Sequence, residues 1–255
     1  MKIALLSDIH ANRQAFDACL AHARAQGAQQ IALLGDLVGY GAAPRYVVQQ
    51  AMALAAEGAH LVGGNHDAMA VRPPVAGERG AGSVVAQSAD WTHGQLSAEE
   101  RAFLAALPLT AEVGSVLLVH ASADAPERWR YVDNPVVAAD CLHAALQRPG
   151  IHHVFCGHVH RQMLYYRGSG HGLMRFVPTP GVAVPVPPHR PWVATVGSVG
   201  QPRDGDPRAM YALLDTAAWR LTFERVPYDH AGAAAAIRAT GALSEFFAQR
   251  LEVGQ

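Results

Sequence analysis

Five short apolar runs in this chain each stop at a residue whose side chain can bind a metal. Ile3-Ala4-Leu5-Leu6-Ser7 leads into Asp8-Ile9-His10, and Ile31-Ala32-Leu33-Leu34-Gly35 leads into Asp36. His60-Leu61-Val62-Gly63-Gly64 leads into Asn65-His66-Asp67, Val116-Leu117-Leu118-Val119 into His120, and His153-Val154-Phe155-Cys156-Gly157 into His158-Val159-His160. A short apolar run bounded by a turn signal is the pattern of a buried strand. Residues just past the carboxyl end of such a strand stand in the crevice where open α/β sheets place their ligands. The chain therefore reads as organised around Asp36, with the other strand ends converging on it.

The spacing between these runs supplies the rest of the architecture. Asn12 to Gln26 carries Ala15, Ala18, Cys19 and Ala23 at helical spacing and stops at Gly27. Pro44 to Glu57 places Val47, Val48, Ala51, Leu54 and Ala55 on one face and stops at Gly58. With strands at Ile3–Ser7, Ile31–Leu34 and Leu61–Val62, the order is β-α-β-α-β, which implies parallel strands with right-handed crossovers. Residues 71–82, rich in Pro and Gly, read as a loop. Residues 83–107 read as helix broken near Gly94, with Ser97-Ala98-Glu99-Glu100 as a second N-terminal cap. Two short strands flank Gly114-Ser115, and a helix begins at Asn134-Pro135 and runs to about Gln147. After the strand at 152–156 the pattern turns to β. Gln162–Arg167, Met174–Val177, Trp192–Val196, Ala209–Leu214 and Arg220–Val226 read as strands, and Asp229–Leu251 as helix broken at Gly241. An α/β half followed by a β-rich half is satisfied by two packed sheets covered by helices. No linker divides the 255 residues, so one domain is expected, with 71–108 a candidate cap over the site.

Composition excludes several classes of function. A formal net charge of -1 leaves no basic footprint for nucleic acid, so nucleic acid is not expected as a partner. No apolar run is long enough to span a membrane. The first residues lack the layout of a cleavable signal, so a cytoplasmic location is expected. Cys19, Cys141 and Cys156 are widely spaced and odd in number, which suits small buried residues in a reducing compartment. Nothing in the sequence indicates an oligomeric state.

Taken together, Asp8, His10, Asp36, Asn65, His120, His158 and His160 offer carboxylate, amide and imidazole donors and no thiolate. Such a set suits Mn²⁺, Fe²⁺, Co²⁺ or Zn²⁺ better than soft ions. Seven donors are too many for one ion and fit two if one carboxylate bridges. A pair of metals about 3.5–4 Å apart clamps a phosphoryl group and generates a nucleophile near neutral pH. Any one of these residues alone has a blander reading. A histidine after a strand is commonly an ordinary surface residue, and Asn-His-Asp is commonly a turn. Five strand ends that each offer a ligand are another matter, because a buried cluster of unpaired carboxylates and imidazoles is costly without metal.

Asp8-Ile9-His10, Gly35-Asp36, Gly64-Asn65-His66-Asp67, His120 and Gly157-His158-Val159-His160 resemble, in order, the signature blocks of the calcineurin-like metallophosphoesterase superfamily. The resemblance spans Ile3 to about Asp215. It implies a four-layer αββα sandwich, two mixed β-sheets flanked by helices, with two divalent metals at the strand ends. Asp8, His10, Asp36 and His160 would hold the first, and Asp36, Asn65, His120 and His158 the second. His66 matches the family's non-ligand histidine, which faces the substrate and protonates the leaving oxygen. Asp67 is then a candidate for fixing the His66 tautomer. Protein Ser/Thr phosphatases carry an Asp-Arg pair where this chain has Gly39 and Tyr40, which counts against that branch. Gly197-Ser198-Val199-Gly200-Gln201-Pro202-Arg203 resembles a block of small bacterial phosphodiesterases, a branch that includes asymmetric diadenosine tetraphosphate hydrolases.

Three further residues are candidate substrate contacts. Arg203 follows a Gly-rich turn that allows close backbone approach, and a guanidinium grips phosphate bidentately. Asn12 lies just beyond the Asp8-Ile9-His10 loop, and Tyr40 offers a ring to stack on a base. Arg13 and Arg72 are weaker candidates of the same kind. The expected activity is hydrolysis of a phosphodiester or phosphoanhydride in a small phosphorylated substrate, with a nucleotide such as diadenosine tetraphosphate the leading candidate. The rival reading is a non-catalytic scaffold that keeps the fold. A scaffold has no reason to retain every ligand and a leaving-group acid.

Overall fold

A computed structural model of the chain describes residues 1–75, 78, 80–168 and 172–255. The elements run β1 (Lys2–Leu6), α1 (Arg13–Ala25), β2 (Gln30–Leu34), α2 (Pro44–Ala56), β3 (His60–Val62), α3 (Asn65–Val71), α4 (Val84–Gln95) and α5 (Ala98–Ala105). They continue β4 (Thr110–Val113), β5 (Val116–Val119), α6 (Pro135–Leu146), β6 (His153–Cys156), β7 (Gln162–Arg167) and β8 (Leu173–Phe176). The chain ends with β9 (Ala183–Pro185), β10 (Trp192–Val196), β11 (Ala209–Asp215), β12 (Arg220–Val226), α7 (His230–Ala239) and α8 (Glu245–Val253). A short 3₁₀ turn lies at Pro126–Arg128.

Two six-stranded sheets result, in the orders β3-β2-β1-β11-β12-β9 and β4-β5-β6-β10-β7-β8. Strands β1, β2 and β3 run parallel, as do β5, β6 and β10, and the outer strands join antiparallel. Both sheets are mixed. The layers follow from period-2 alternation in strands that are apolar on both faces. Ile3 and Leu5 point between the sheets, where they meet Leu118, Phe155, Trp192 and Ala194. Ala4 and Leu6 point the other way, onto Phe16 and Cys19 of α1 and Val47, Val48 and Ala51 of α2. On the far side Leu117, Val119, Val154, Cys156 and Val193 pack on Ala138, Cys141, Leu142 and Ala145 of α6. The order is helix, sheet, sheet, helix. All three cysteines are buried and free. Among the described residues no helix is long and apolar enough to cross a membrane.

Local chemistry sets the helix starts. Asn12 Oδ1 accepts from Ala15 N at α1, Ser97 and Glu100 form a reciprocal capping box at α5, and Asn134 caps α6 with Pro135 at its first position. Two elements differ from the sequence reading. Asn65-His66-Asp67 is the first turn of α3 and not a free turn. Its seven residues carry too short an apolar repeat to register as a helix. The other is β9, a three-residue strand in a Pro-rich stretch, which pairs with β12 at the sheet edge, where a proline need not donate. The segment 71–108 includes α4 and α5, which pack on α3 and α2. Of its described residues, Arg72 lines the cleft beside His158. The cap expected there falls partly on Ala76, Gly77 and Arg79, which lie outside the described residues.

Candidate metal centre

Every ligand-type residue named above sits at the carboxyl end of a parallel strand. Asp8 and His10 follow β1, Asp36 follows β2, Asn65 follows β3, His120 follows β5, and His158 and His160 follow β6. Two buried groups form: Asp8, His10 and His160, and Asp36, His120 and His158. In the first, His160 Nε2 is 3.1 Å from Asp8 Oδ1 and 3.2 Å from His10 Nε2. In the second, His120 Nε2 is 3.3 Å from Asp36 Oδ2, 3.2 Å from His158 Nδ1 and 3.2 Å from Asn65 Oδ1. Asp36 Oδ2 is also 3.8 Å from His10 Nε2, so one carboxylate oxygen faces both groups.

The backbone takes up strain to achieve this. Asp8, His10, Asp36, His158 and His160 all have φ between 49° and 65°. That left-handed region costs a non-glycine residue roughly 1–2 kcal/mol, and clusters of it mark functional sites. A hydrogen-bonded frame holds the conformation. Asp8 N donates to Gly35 O, His10 N to Asp36 O, and Val199 N and Gly200 N to Ser7 O and Asp8 O. Two glycines are required by close approach. A Cβ on Gly64 would stand 2.2 Å from Asp36 Oδ1, and one on Gly157 would stand 2.5 Å from Asp8 Oδ2. The remaining carboxylate oxygens are fixed by backbone donors, Asp36 Oδ1 by His66 N and Asp8 Oδ2 by His158 N.

The rings are oriented from behind. The Nδ1 atoms of His10, His120 and His160 face the carbonyls of Val38, Leu34 and Gln201 at 3.2, 2.7 and 2.6 Å. A proton on each Nδ1 leaves the Nε2 lone pair aimed at the centre, the arrangement metal-binding imidazoles use. Facing nitrogens such as His10 Nε2 and His160 Nε2 cannot then both be satisfied by each other, and Asp8 Oδ1 has no hydrogen-bond partner among the described residues. Buried oxygen and imidazole donors left in this state fit two divalent ions of the borderline kind.

The electrostatics agree. Burial pushes the Asp8 and Asp36 carboxyls up, but His160 beside the first and His120 beside the second outweigh it and hold both below the usual range. Burial pushes the His120 imidazolium down, yet the Asp36 charge and hydrogen bond carry it up to about 9. Burial depresses His10 strongly and His158 to about 4. A raised folded-state pKa on His120 contributes stability that is complete below its unfolded value of about 6.5 and lost as pH rises through 9. Protein stripped by chelation should therefore lose on the order of 3 kcal/mol between pH 7 and 9.5, a fall in thermal midpoint of roughly 10 °C. Burial, reinforced by Asp36, also carries Asp67 up to about 7, and it acts in the same direction. With metal on its imidazole, His120 cannot titrate in this window. Midpoints measured with chelator should slope downward more steeply than those with Mn²⁺, where only the Asp67 part remains; parallel curves would mean that no metal engages His120.

Three of the other sequence candidates have different tasks in the structure. Among the described residues Asp67 makes no hydrogen bond to the His66 ring. Its Oδ1 accepts from Leu37 N and Val38 N and its Oδ2 from Gly64 N, so it ties α3 to the Asp36 loop. Asn12 spends its amide on Ala15 N, Gly200 O and the Tyr228 hydroxyl, which makes it a structural bridge. The Tyr40 ring packs against His66, His10 and Phe247 at 4.3, 4.5 and 4.8 Å, which ties it to the metal-site wall. The Gly-rich turn before Arg203 makes its close approach to the protein itself, since a Cβ on Gly200 would meet Ile9 O at 1.8 Å. Arg203 remains available, with its guanidinium on the neutral oxygen of Gln201 and its N on His160 O. His66 is buried beside His10 and Tyr40. Arg72 is exposed and paired with Glu78.

The sequence reading passed over the wall of the site. A cavity of about 590 Å³ opens over the second group between Asn65, Met69, Arg72, Trp129, Tyr131 and His158. Tyr131 is 50% exposed and stacks on His158 with centroids 4.0 Å apart. Trp129, at φ 53°, lies edge-on to His120 at 5.9 Å. The signal was two aromatics between arginines in Arg128-Trp129-Arg130-Tyr131, in the loop that follows His120.

Comparison with known proteins places this centre. The calcineurin-like phosphoesterase superfamily domain matches residues 1–218 and stops short of α7 and α8. An uncharacterised protein of Methanocaldococcus jannaschii is 29% identical over 261 residues, spanning 99% of this chain and 98% of its own. The crystal structure of a metallophosphoesterase from Sphaerobacter thermophilus is 34% identical, with both chains covered completely and a TM-score of 0.82. A hypothetical protein from Pyrococcus horikoshii OT3 shares the fold at 19% identity and a TM-score of 0.73, over 100% of this chain and 98% of its own. Two mixed six-stranded sheets, helices on both outer faces and two buried His/Asp clusters at the strand ends match that pattern. The chain belongs to the calcineurin-like phosphoesterase superfamily.

Proposed function

We propose that this protein hydrolyses a phosphodiester or phosphoanhydride bond in a small nucleotide, with dinucleoside polyphosphates such as diadenosine tetraphosphate the class to test first. The observation that carries the reading is Asp36 Oδ2 facing both His/Asp groups, the second of which opens through His158 and Asn65 onto an aromatic-walled cleft. Asp8, His10, Asp36 and His160 would hold one divalent ion, and Asp36, Asn65, His120 and His158 the other. When bound, such a pair polarises phosphoryl oxygens and makes water a nucleophile near neutral pH. The chain's own residues do the rest. The carbonyls of Leu34, Val38 and Gln201 hold the imidazoles in their binding tautomer. His66 stands outside both groups, where it hands a proton to the departing oxygen. Trp129 and Tyr131 wall the cleft and offer a flat surface to a base.

Purified protein should turn over bis-p-nitrophenyl phosphate with Mn²⁺ and stop on chelation. Failure with every divalent metal would refute hydrolysis. A product assay across dinucleoside polyphosphates, cyclic nucleotides, glycerophosphodiesters and phosphomonoesters then assigns the class. ATP plus AMP from diadenosine tetraphosphate means asymmetric cleavage, and two ADP means symmetric cleavage. Turnover confined to diesters without an anhydride would remove the polyphosphate class and leave the metal chemistry standing.

A further inference from the structure

One cluster beside the centre is unexplained by metal binding. Arg161, Arg203 and Arg250 line a hollow of about 470 Å³ together with Asp204, Gly205 and Gln255. They come from three places: the residue after His160, the loop after β10, and helix α8. None has an ion-pair partner among the described residues. The nearby acids are engaged elsewhere, Asp204 by Arg225 and Asp206 by Arg208.

What holds the three guanidinium groups is neutral. Arg203 Nη2 and Arg250 Nη1 both donate to Gln201 Oε1, at 3.0 and 3.3 Å, and Arg161 Nε donates to Arg203 O at 3.0 Å. Gln201 is itself buried, its N bound to Ser198 Oγ and its O facing His160 Nδ1 at 2.6 Å. Two cations sharing one amide oxygen repel each other. Arg250 feels this, since burial and then Arg203 hold its pKa down. A fold that merely needed to fill this space would gain by placing a carboxylate here. Guanidinium groups without ion-pair partners and with spare N–H donors are what a multiply charged oxyanion needs.

The cluster is also continuous with the metal centre. Arg203 N donates to His160 O, Arg203 shares Gln201 Oε1 with Arg250, and the Tyr40 ring on the same side lies against His10 and His66. Helix α8 supplies both Arg250 and Phe247, the ring behind Tyr40. The C-terminal helical hairpin thereby packs against the residues that border the metal centre.

We propose that Arg161, Arg203 and Arg250 form a second oxyanion subsite, which takes a phosphate of the substrate distal to the one at the metals. This deepens the hydrolase reading and rests on it: the preferred substrates would be polyphosphates long enough to reach from the His/Asp centre to α8. Arg250 is a specificity-determining residue on this view, not a catalytic one.

The test is calorimetric titration of the metal-loaded full chain with orthophosphate and with tripolyphosphate. The wild-type protein should bind tripolyphosphate more tightly, because that ion reaches both seats. In Arg250→Ala and in Arg203→Ala this advantage should shrink about tenfold or more, the worth of a charge-assisted contact, and Arg250→Lys should recover part of it. Gln201 Oε1 keeps Arg203 when Arg250 is removed, so no buried acceptor is orphaned and folding should be unaffected, checked by thermal midpoint. In kinetics, Arg250→Ala should raise KM for diadenosine tetraphosphate relative to KM for bis-p-nitrophenyl phosphate by a similar factor. An unchanged tripolyphosphate advantage in Arg250→Ala, or equal KM changes on both substrates, would assign Arg250 to structure and overturn the proposal. If the wild-type protein hydrolyses nothing, the hydrolase reading fails alone, because the tripolyphosphate titration still decides whether the arginines bind polyphosphate.

Discussion

Asp36→Asn is expected to bring hydrolysis of bis-p-nitrophenyl phosphate to background and to lower metal content at both seats. The reason is the double role of one oxygen: Asp36 Oδ2 faces His10 at 3.8 Å and His120 at 3.3 Å, so an amide there removes the shared charge from both groups. The other oxygen accepts from His66 N, and Gly64 packs directly on it, so the side chain has no room to turn away. Elemental analysis of the purified variant and a rate assay with added Mn²⁺ check the two halves of this expectation. A third readout needs no activity. Asp36 is what raises His120 to about 9, so chelated Asp36→Asn should lose most of the fall in thermal midpoint between pH 7 and 9.5. Retained metal at both seats would show that Asp36 does not bridge.

His66→Ala should keep its metals and lose about 10²–10⁴-fold in kcat, the range of general acid catalysis. His66 sits outside both His/Asp groups, so metal content is the control that separates the two variants. Burial holds its imidazole down to about 4, partly opposed by Asp36, so it is neutral near pH 7 before substrate arrives. The anionic phosphoryl group of a bound substrate beside it favours the charged form and raises that pKa. The fall in activity as pH rises through the His66 pKa should therefore appear in the pH profile of kcat, which reports the bound complex, and at lower pH or not at all in kcat/KM, which reports the free enzyme. Loss of the kcat limb in His66→Ala completes the case. A variant that retains wild-type kcat would remove His66 from proton transfer.

What could be read from the residues alone was the set of strand ends and the ligands that follow them. Apolar runs such as Ile31–Leu34 are buried on both faces, and that requirement writes itself into consecutive residues. Helix starts at Asn12, Ser97 and Asn134 were legible for a similar reason, because a cap satisfies the backbone within four residues of itself. The resemblance of the five ligand blocks carried the sandwich and the dinuclear centre, since ligand type and order are local properties of each strand end.

Tertiary structure alone decided the rest. Strand β11 lies beside β1 across some two hundred residues, a pairing set by which apolar faces remain to be covered once both sheets form. The polar side chains near the site took their roles from neighbours distant in sequence. Asp67 was claimed by the amides of Leu37 and Val38, Asn12 by Gly200 and Tyr228, and the Tyr40 ring by Phe247. The same logic hid Arg250. Its spacing on α8 is that of an ordinary solvated helix position, and it acquires meaning only where Gln201 brings it against Arg203. A donor's chemistry is written in its residue type; what it is free to bind depends on which other groups the fold has already placed against it.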